Sequence, residues 1–230
     1  MRAIIKILPV AALMVLSMVA PKTASATVPA MLFGTIEFEA RSHSALPQWR
    51  RVMAGVNSEI ETYRLCAIDG EACPNRGVMA WQALLQGLKG EDQMKQIRSV
   101  NRFINQWRYR TDERNFGQSD YWATPVEFMT HSGDCEDYAI AKYVSLRQLG
   151  FSADQLRMVV VHDVLRDLAH AVLAVYVDGE VLILDNLSNA VLPHHRLSQY
   201  LPYYSVNEKA RWTHMPSTPT QIASNLLKGE

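Results

Sequence analysis

Excess charge of either sign is missing from this chain: 23 Lys and Arg balance 23 Asp and Glu over 230 residues. Without a net positive field there is no general pull on a polyanion, which argues against a nucleic-acid binder. Low complexity is missing too. Eleven Gly and ten Pro, with 48% hydrophobic and 20% charged residues, exclude a disordered or collagen-like chain. The sequence shows no internal repeat, and its length suits one domain or two small ones. Long apolar runs are confined to one place. Arg2 and Lys6 precede an almost unbroken apolar stretch, Ile7 to Ala20, followed by Pro21 and Ala24-Ser25-Ala26. The stretch is shorter than the ~20 residues a bilayer needs. It reads as a secretory signal peptide over residues 1–26, cut after Ala26. Residues 27–230 then form a single exported domain with 20 bases and 23 acids, and with no direct membrane insertion.

Cysteine is scarce: Cys66, Cys73 and Cys135. An oxidising compartment favours pairing. Cys66 and Cys73 are seven residues apart, and Asp69-Gly70 supplies a turn between them, so a local disulfide is compatible with the spacing. Cys135 is then the odd thiol, either a reactive group or an inert buried one.

Periodicity predicts helices first and strands second, an α+β order. Pro47 opens a helix with Trp49, Val52, Met53, Val56, Ile60 and Tyr63 on one stripe. Further helices are expected over Val78–Leu88, Asp92–Arg110 and Cys135–Leu149, with a short turn over Val126–Thr130. Thr111–Pro125 reads as a polar loop, in which Tyr121-Trp122 is positioned to flank a groove. Trp49, Trp81 and Trp107 read as packing residues. Leu156–Val161, His170–Val177 and Glu180–Asp185 read as strands, and the end from about Pro216 is polar.

Two segments carry chemistry. Ser132-Gly133-Asp134 looks like a helix start, which places Cys135 in the first turn. Unpaired N–H groups and the helix dipole there favour thiolate. Asp134, Glu136 and Asp137 oppose it, although helical spacing sets the three acids on one arc and Cys135 on the other side. The acids fit a hard cation such as Ca²⁺ or plain helix capping. In the second segment Asp178-Gly179 is a two-residue hairpin turn. It predicts Val177 opposite Glu180 and Val172 opposite Asp185, so His170 shares a face with Asp185. Diagonal neighbours lie about 7–8 Å apart at the backbone, within reach of an imidazole–carboxylate bond. His162-Asp163 with Asp167 is either a metal cluster or a polar loop between strands. His194-His195 reads as a surface loop.

Cys135 on a helix start, then His170 and Asp185 on following strands, resembles a papain-type triad in its transglutaminase-like form. The strings Gly133-Asp134-Cys135-Glu136-Asp137-Tyr138-Ala139, His170-Ala171-Val172-Leu173 and Leu184-Asp185-Asn186, with Leu32-Phe33-Gly34, resemble the bacterial transglutaminase-like cysteine proteinases. That resemblance implies a papain-like, transglutaminase-like fold with N-terminal helices packed on an antiparallel sheet. It implies a periplasmic endopeptidase that cuts the N-terminal region of a large surface adhesin at a paired-alanine site, releasing it and dispersing biofilm. It also implies Ca²⁺ as cofactor, and an inner-membrane receptor that holds the enzyme inactive when cyclic-di-GMP is high. On this resemblance Cys135 is the nucleophile, His170 the general base and acid, Asp185 the orienting group, and Asp134, Glu136 and Asp137 the calcium-linked acids. The disulfide is not part of it. Two other functions use the same residues: acyl transfer to an amine, as in a transglutaminase, and non-catalytic, calcium-dependent binding to a membrane receptor.

Overall fold

Asp178 and Gly179 both take positive φ, 50° and 81°, in the computed structural model, which describes residues 31–217. A turn of that kind twists to match the strands it joins. It sets Val177 opposite Glu180 and carries the pairing to Leu173 opposite Leu184, the register expected from sequence. Among the described residues the sheet has seven strands. They are β1 (Thr35–Ala40), β2 (Leu156–Asp163), β3 (Leu168–Val177), β4 (Glu180–Asp185), β5 (Ser188–Pro193), β6 (Tyr200–Val206) and β7 (Arg211–Pro216). Their order is β1-β7-β6-β2-β3-β4-β5, antiparallel throughout.

Helices cover one face of this sheet. They are α1 (Pro47–Ile68), α2 (Arg76–Leu88), α3 (Gln93–Ile104), α4 (Asp112–Phe116), α5 (Pro125–His131) and α6 (Cys135–Gln148). Local chemistry starts several of them. The Asn75 side chain accepts from Val78 N–H at 2.9 Å, and that of Asp92 from Lys95 N–H at 3.0 Å. Thr124 and Glu127 close a capping box on α5. α6 is buried from Asp137 to Leu146, with β3 on one side and α3 on another. Trp81 anchors α2 to it by donating to Ser145 Oγ at 2.8 Å. The apolar residues between helices and sheet form one cluster; a smaller one, around Val159, Val161, Val172 and Ile183, lies on the opposite face. Cys66 and Cys73 are disulfide-bonded, with Cα atoms 4.6 Å apart, and tie the end of α1 to the approach to α2.

The structure departs from the sequence pattern in several places, among them the strands β5, β6 and β7, which lie beyond the three expected. A strand, β1, precedes the helices and pairs with β7 at the far end of the chain. The helix expected to reach Arg110 stops at Ile104, because Tyr109 bridges Gly133 and Arg110 N–H donates to Gly133 O at 2.8 Å. The loop after it contains α4. Ile60 is exposed, whereas Trp49, Val52, Val56 and Tyr63 are buried. The signal-peptide reading of residues 1–26 lies outside the described residues, and so does nearly all of the polar end. No helix among the described residues is long and apolar enough to cross a membrane.

Candidate active site

Cys135 is the first residue of α6 and follows Asp134 at the N-cap. The turn leading to it is held in place from outside. Asp137, fully buried, accepts Ala123 N–H at 2.6 Å and Asp134 N–H at 3.1 Å. Gly133 leaves room for that carboxylate: a Cβ there would stand 2.0 Å from Asp137 Oδ2.

The structure brings the thiol to the strand that carries His170. Cys135 is half-buried and free, and the backbone N–H of Ala171 lies near enough to its sulfur to favour the thiolate. His170, 3% exposed, meets Asp185 at 2.9 Å through Nε2. That leaves Nδ1 as the ring nitrogen for a thiol proton. Asp185 Oδ1 also accepts Leu187 N–H at 3.0 Å, and Oδ2 accepts the Tyr200 hydroxyl at 2.5 Å. Burial pushes the Asp185 carboxyl up, but the bond to His170 and these further donors hold it below the usual range. Asn105 donates to the Asp185 carbonyl at 2.9 Å and fixes the strand end. Lys142, two turns along α6 from the cysteine, is 0% exposed, and its Nζ has no hydrogen-bond partner. Burial brings its amine down to about 7, opposed by Asp185.

The expectation that helical spacing separates the thiol from the acids is corrected. Cys135 Sγ donates to Glu136 Oε2 at 3.2 Å. Cys135, Asp134 and Glu136 offer ligand atoms within 4.8 Å of one another. The first turn is short enough for the Glu136 side chain to fold back across it. Burial, then Glu136 and Asp134, push the thiol well above its ordinary range, and the Ala171 N–H only partly offsets them. The helix start alone therefore does not supply a thiolate.

Two acids that the sequence pattern did not single out join the cluster. Asp112, on α4, groups with Asp120 and Glu136 and also with Asp134 and Asp137. Asp112 Oδ1 and Asp134 Oδ1 are buried with no hydrogen-bond partner. Burial raises the Asp112 carboxyl to about 6 and, with Glu136 beside it, the Asp134 carboxyl to about 8. Burial raises Glu136 and Asp137 as well. Orphaned hard oxygens on converging carboxylates are the donor set of a Ca²⁺ site. Asp134 and Asp137 close a capping box on α6, and Asp112 Oδ2 accepts Tyr121 N–H; these roles leave the Oδ1 atoms of Asp112 and Asp134 unexplained. No signal short of the fold links residue 112 to residue 134.

The competing candidates fall elsewhere. Asp163 pairs with Arg166 at 2.7 Å in the β2–β3 turn, and His162 meets Asp167 at 3.2 Å, as befits a polar hairpin. His194 and His195 lie in a 3-10 turn, where His194 Nδ1 accepts Phe33 N–H at 3.0 Å. Trp122 is buried, and Tyr121 stacks under Arg51 and donates to Glu127 at 2.7 Å.

Residues 52–219 match the family model described as bacterial transglutaminase-like cysteine proteinase. Solved structures of Legionella pneumophila LapG are similar to this chain. The calcium-bound one is 34% identical with a TM-score of 0.59, covering 66% of this chain and 86% of that one. An EGTA-treated one is 34% identical with a TM-score of 0.58, covering 66% and 83%. A third is 32% identical with a TM-score of 0.59, covering 73% and 93%. No curated protein matches.

Proposed function

Because this chain belongs to the bacterial transglutaminase-like cysteine proteinase family, we propose that it is a periplasmic, calcium-dependent endopeptidase. Its substrate is the N-terminal region of a large surface adhesin, cut at a paired-alanine site to release the adhesin and disperse biofilm. Control comes from an inner-membrane cyclic-di-GMP receptor that sequesters the enzyme. The observation that carries the proteolytic reading is the buried pair of His170 with Asp185, next to Ala171, whose backbone N–H lies near the Cys135 sulfur.

In this reading His170 Nδ1 takes the thiol proton and the sulfur attacks the scissile carbonyl carbon. The Cys135 backbone N–H, unpaired at the helix start, stabilises the oxyanion. The same imidazole protonates the departing amine. It then takes a proton from water as the oxygen attacks the thioester, releasing the acid and restoring the thiol. Asp185 keeps the imidazole in one tautomer and stabilises its cationic form. Asp112, Asp120, Asp134 and Glu136 would hold Ca²⁺, with Asp137 orienting the helix start behind them. The bound ion supplies positive charge against the field that now raises the thiol. A calcium-bound and an EGTA-treated form of Legionella pneumophila LapG support this part of the reading.

Cys135→Ala should lower the cleavage rate of an adhesin N-terminal fragment by at least about 10³-fold while leaving the unfolding transition in place. Purified variant that still cuts would remove the nucleophile assignment. A labelled amine added to wild type separates hydrolysis from acyl transfer: stable incorporation without scission would favour a transglutaminase.

A further inference from the structure

One row of the sheet connects the sulfur to the far edge strand. Ala171 on β3 pairs with Val160 on β2, Val160 with Tyr204 on β6, Tyr204 with Thr213 on β7, and Thr213 with Phe38 on β1. Residues paired across a ladder point to the same face. The row starts on the helix-covered face, where Ala171 packs in the main core and Val160 lies against it. Tyr204 is within electrostatic range of Glu136 and Asp120. Beyond Tyr204 nothing among the described residues covers the row. Phe38 is 55% exposed, and Met215, two residues from Thr213 on that same face, is 52% exposed. On β1 the usual pattern is inverted: Glu37 faces the other side and bonds Arg157 at 2.6 Å, while its apolar neighbours face solvent. A row of four strand steps at about 4.8 Å spans roughly 19 Å, the length of about six extended residues.

We propose that the sheet row from Ala171 to Phe38 is the binding track for an extended polypeptide substrate, with apolar side chains on one side of the scissile bond seated against Tyr204, Phe38 and Met215. The inference rests on the proteolytic reading of Cys135. Continuity with that thiol selects the occupant: the row that starts at the buried Ala171 passes the half-buried Val160 and Tyr204 and comes to the surface at Thr213, Phe38 and Met215, so a peptide with its carbonyl at the sulfur has an apolar patch within reach in one direction. The track supplies affinity at a distance from the chemistry, so losing it weakens binding and spares the bond-breaking step.

The test uses calcium-loaded protein and a library of internally quenched peptides of about twelve residues centred on Ala-Ala, long enough to reach β1. Phe38→Asp should raise KM about tenfold or more and change kcat by less than about twofold, and Phe38→Leu should restore KM to within about threefold. The wild type should also prefer apolar residues about six positions from the cut, and Phe38→Asp should lose that preference. The exposed position of Phe38 allows the variant to fold, and an unchanged melting transition checks it. If wild type cleaves the library and Phe38→Asp keeps the same KM, the track is wrong and the protease reading stands. If KM is unchanged and Phe38→Asp instead dissociates a dimer in sedimentation, the face is a self-interface and the track is again wrong. If wild type cleaves no peptide although iodoacetamide alkylates Cys135, the proteolytic reading fails and the track with it.

Discussion

Gly133 is kept to a hydrogen atom by one neighbour. A methyl group there would occupy the place of Asp137 Oδ2, and that carboxylate cannot retreat without giving up Ala123 N–H and Asp134 N–H. Gly133→Ala should therefore destabilise the fold by about 2–3 kcal/mol. Urea unfolding checks the size, and a loss below about 0.5 kcal/mol would mean that Asp137 is free to move. The same carboxylate shows how several acids share one helix start without sharing a role. Asp137 faces inward and holds backbone, whereas Asp134 and Glu136 lie beside the sulfur. Sequence spacing identified all three; only the side-chain directions sorted them.

Among the elements, β1 and β7 show how a buried histidine carries pH sensitivity away from the site. Thr35 Oγ1 donates to Leu32 O and meets His214 Nδ1 at 2.8 Å, while Ser205 Oγ meets Nε2 at 2.8 Å. The hydroxyl of Thr35 is spent on Leu32, so Nδ1 carries the proton and Nε2 accepts. Burial lowers this imidazole from 6.5 to about 4. The unfolded chain then binds more protons between those values, so the contribution is complete above pH 6.5 and is lost as the pH falls towards 4. It amounts to about 2 kcal/mol between pH 8 and pH 5. Other groups titrate in the same range, so the comparison is with His214→Asn: from pH 8 to pH 5 the wild type should lose about 2 kcal/mol more, or gain that much less, than the variant in urea unfolding. The disulfide between α1 and α2 is a second element-level device. Closing so short a loop contributes about 2 kcal/mol by restricting the unfolded chain. The double change of Cys66→Ser and Cys73→Ser should lower the melting temperature accordingly. Cleavage by the folded protein should continue, because the bridge pairs Cys66 with Cys73 and leaves Cys135 free. Loss of cleavage in a variant shown to be folded would contradict that separation.

At the scale of the molecule, the acid cluster joins segments that backbone bonds already bring together: Ala123 N–H reaches Asp137, and Arg110 N–H reaches Gly133 O. Asp112 comes from α4, Asp120 from the loop after it, and Asp134 and Glu136 from the start of α6. A cation bound there links the loop to the helix and offsets charge that burial makes costly. Ca²⁺ should therefore raise the melting temperature with the logarithm of its concentration above Kd, with a gain of about 2.7 kcal/mol at 100 times Kd. EGTA should reverse the gain and stop cleavage. Asp112→Asn should need more Ca²⁺ for the same shift in a melting titration. A melting curve indifferent to Ca²⁺ would remove the ion from the account. The disposition of the sheet matters at this scale too. α6 packs on the middle strands β2, β3 and β4, while Phe38 on β1 and Met215 on β7 are exposed.

Features with local causes were legible in the chain before it folded. Asp178-Gly179 set the β3–β4 register and hence the meeting of His170 with Asp185, because a two-residue turn allows one pairing. Ser132-Gly133-Asp134 marked the start of α6 and put Cys135 in its first turn, because the helix cap is written in adjacent residues. The short Cys66–Cys73 spacing allowed the bridge that forms. Tertiary structure alone decided the rest. β1 and β7 pair across most of the chain, Asp112 and Asp120 reach the acids of α6 from a separate loop, and Glu136 folds back onto the sulfur. Those outcomes depend on which surfaces meet when the helices close over the sheet, and no residue pattern a few positions long encodes a contact between segments so far apart.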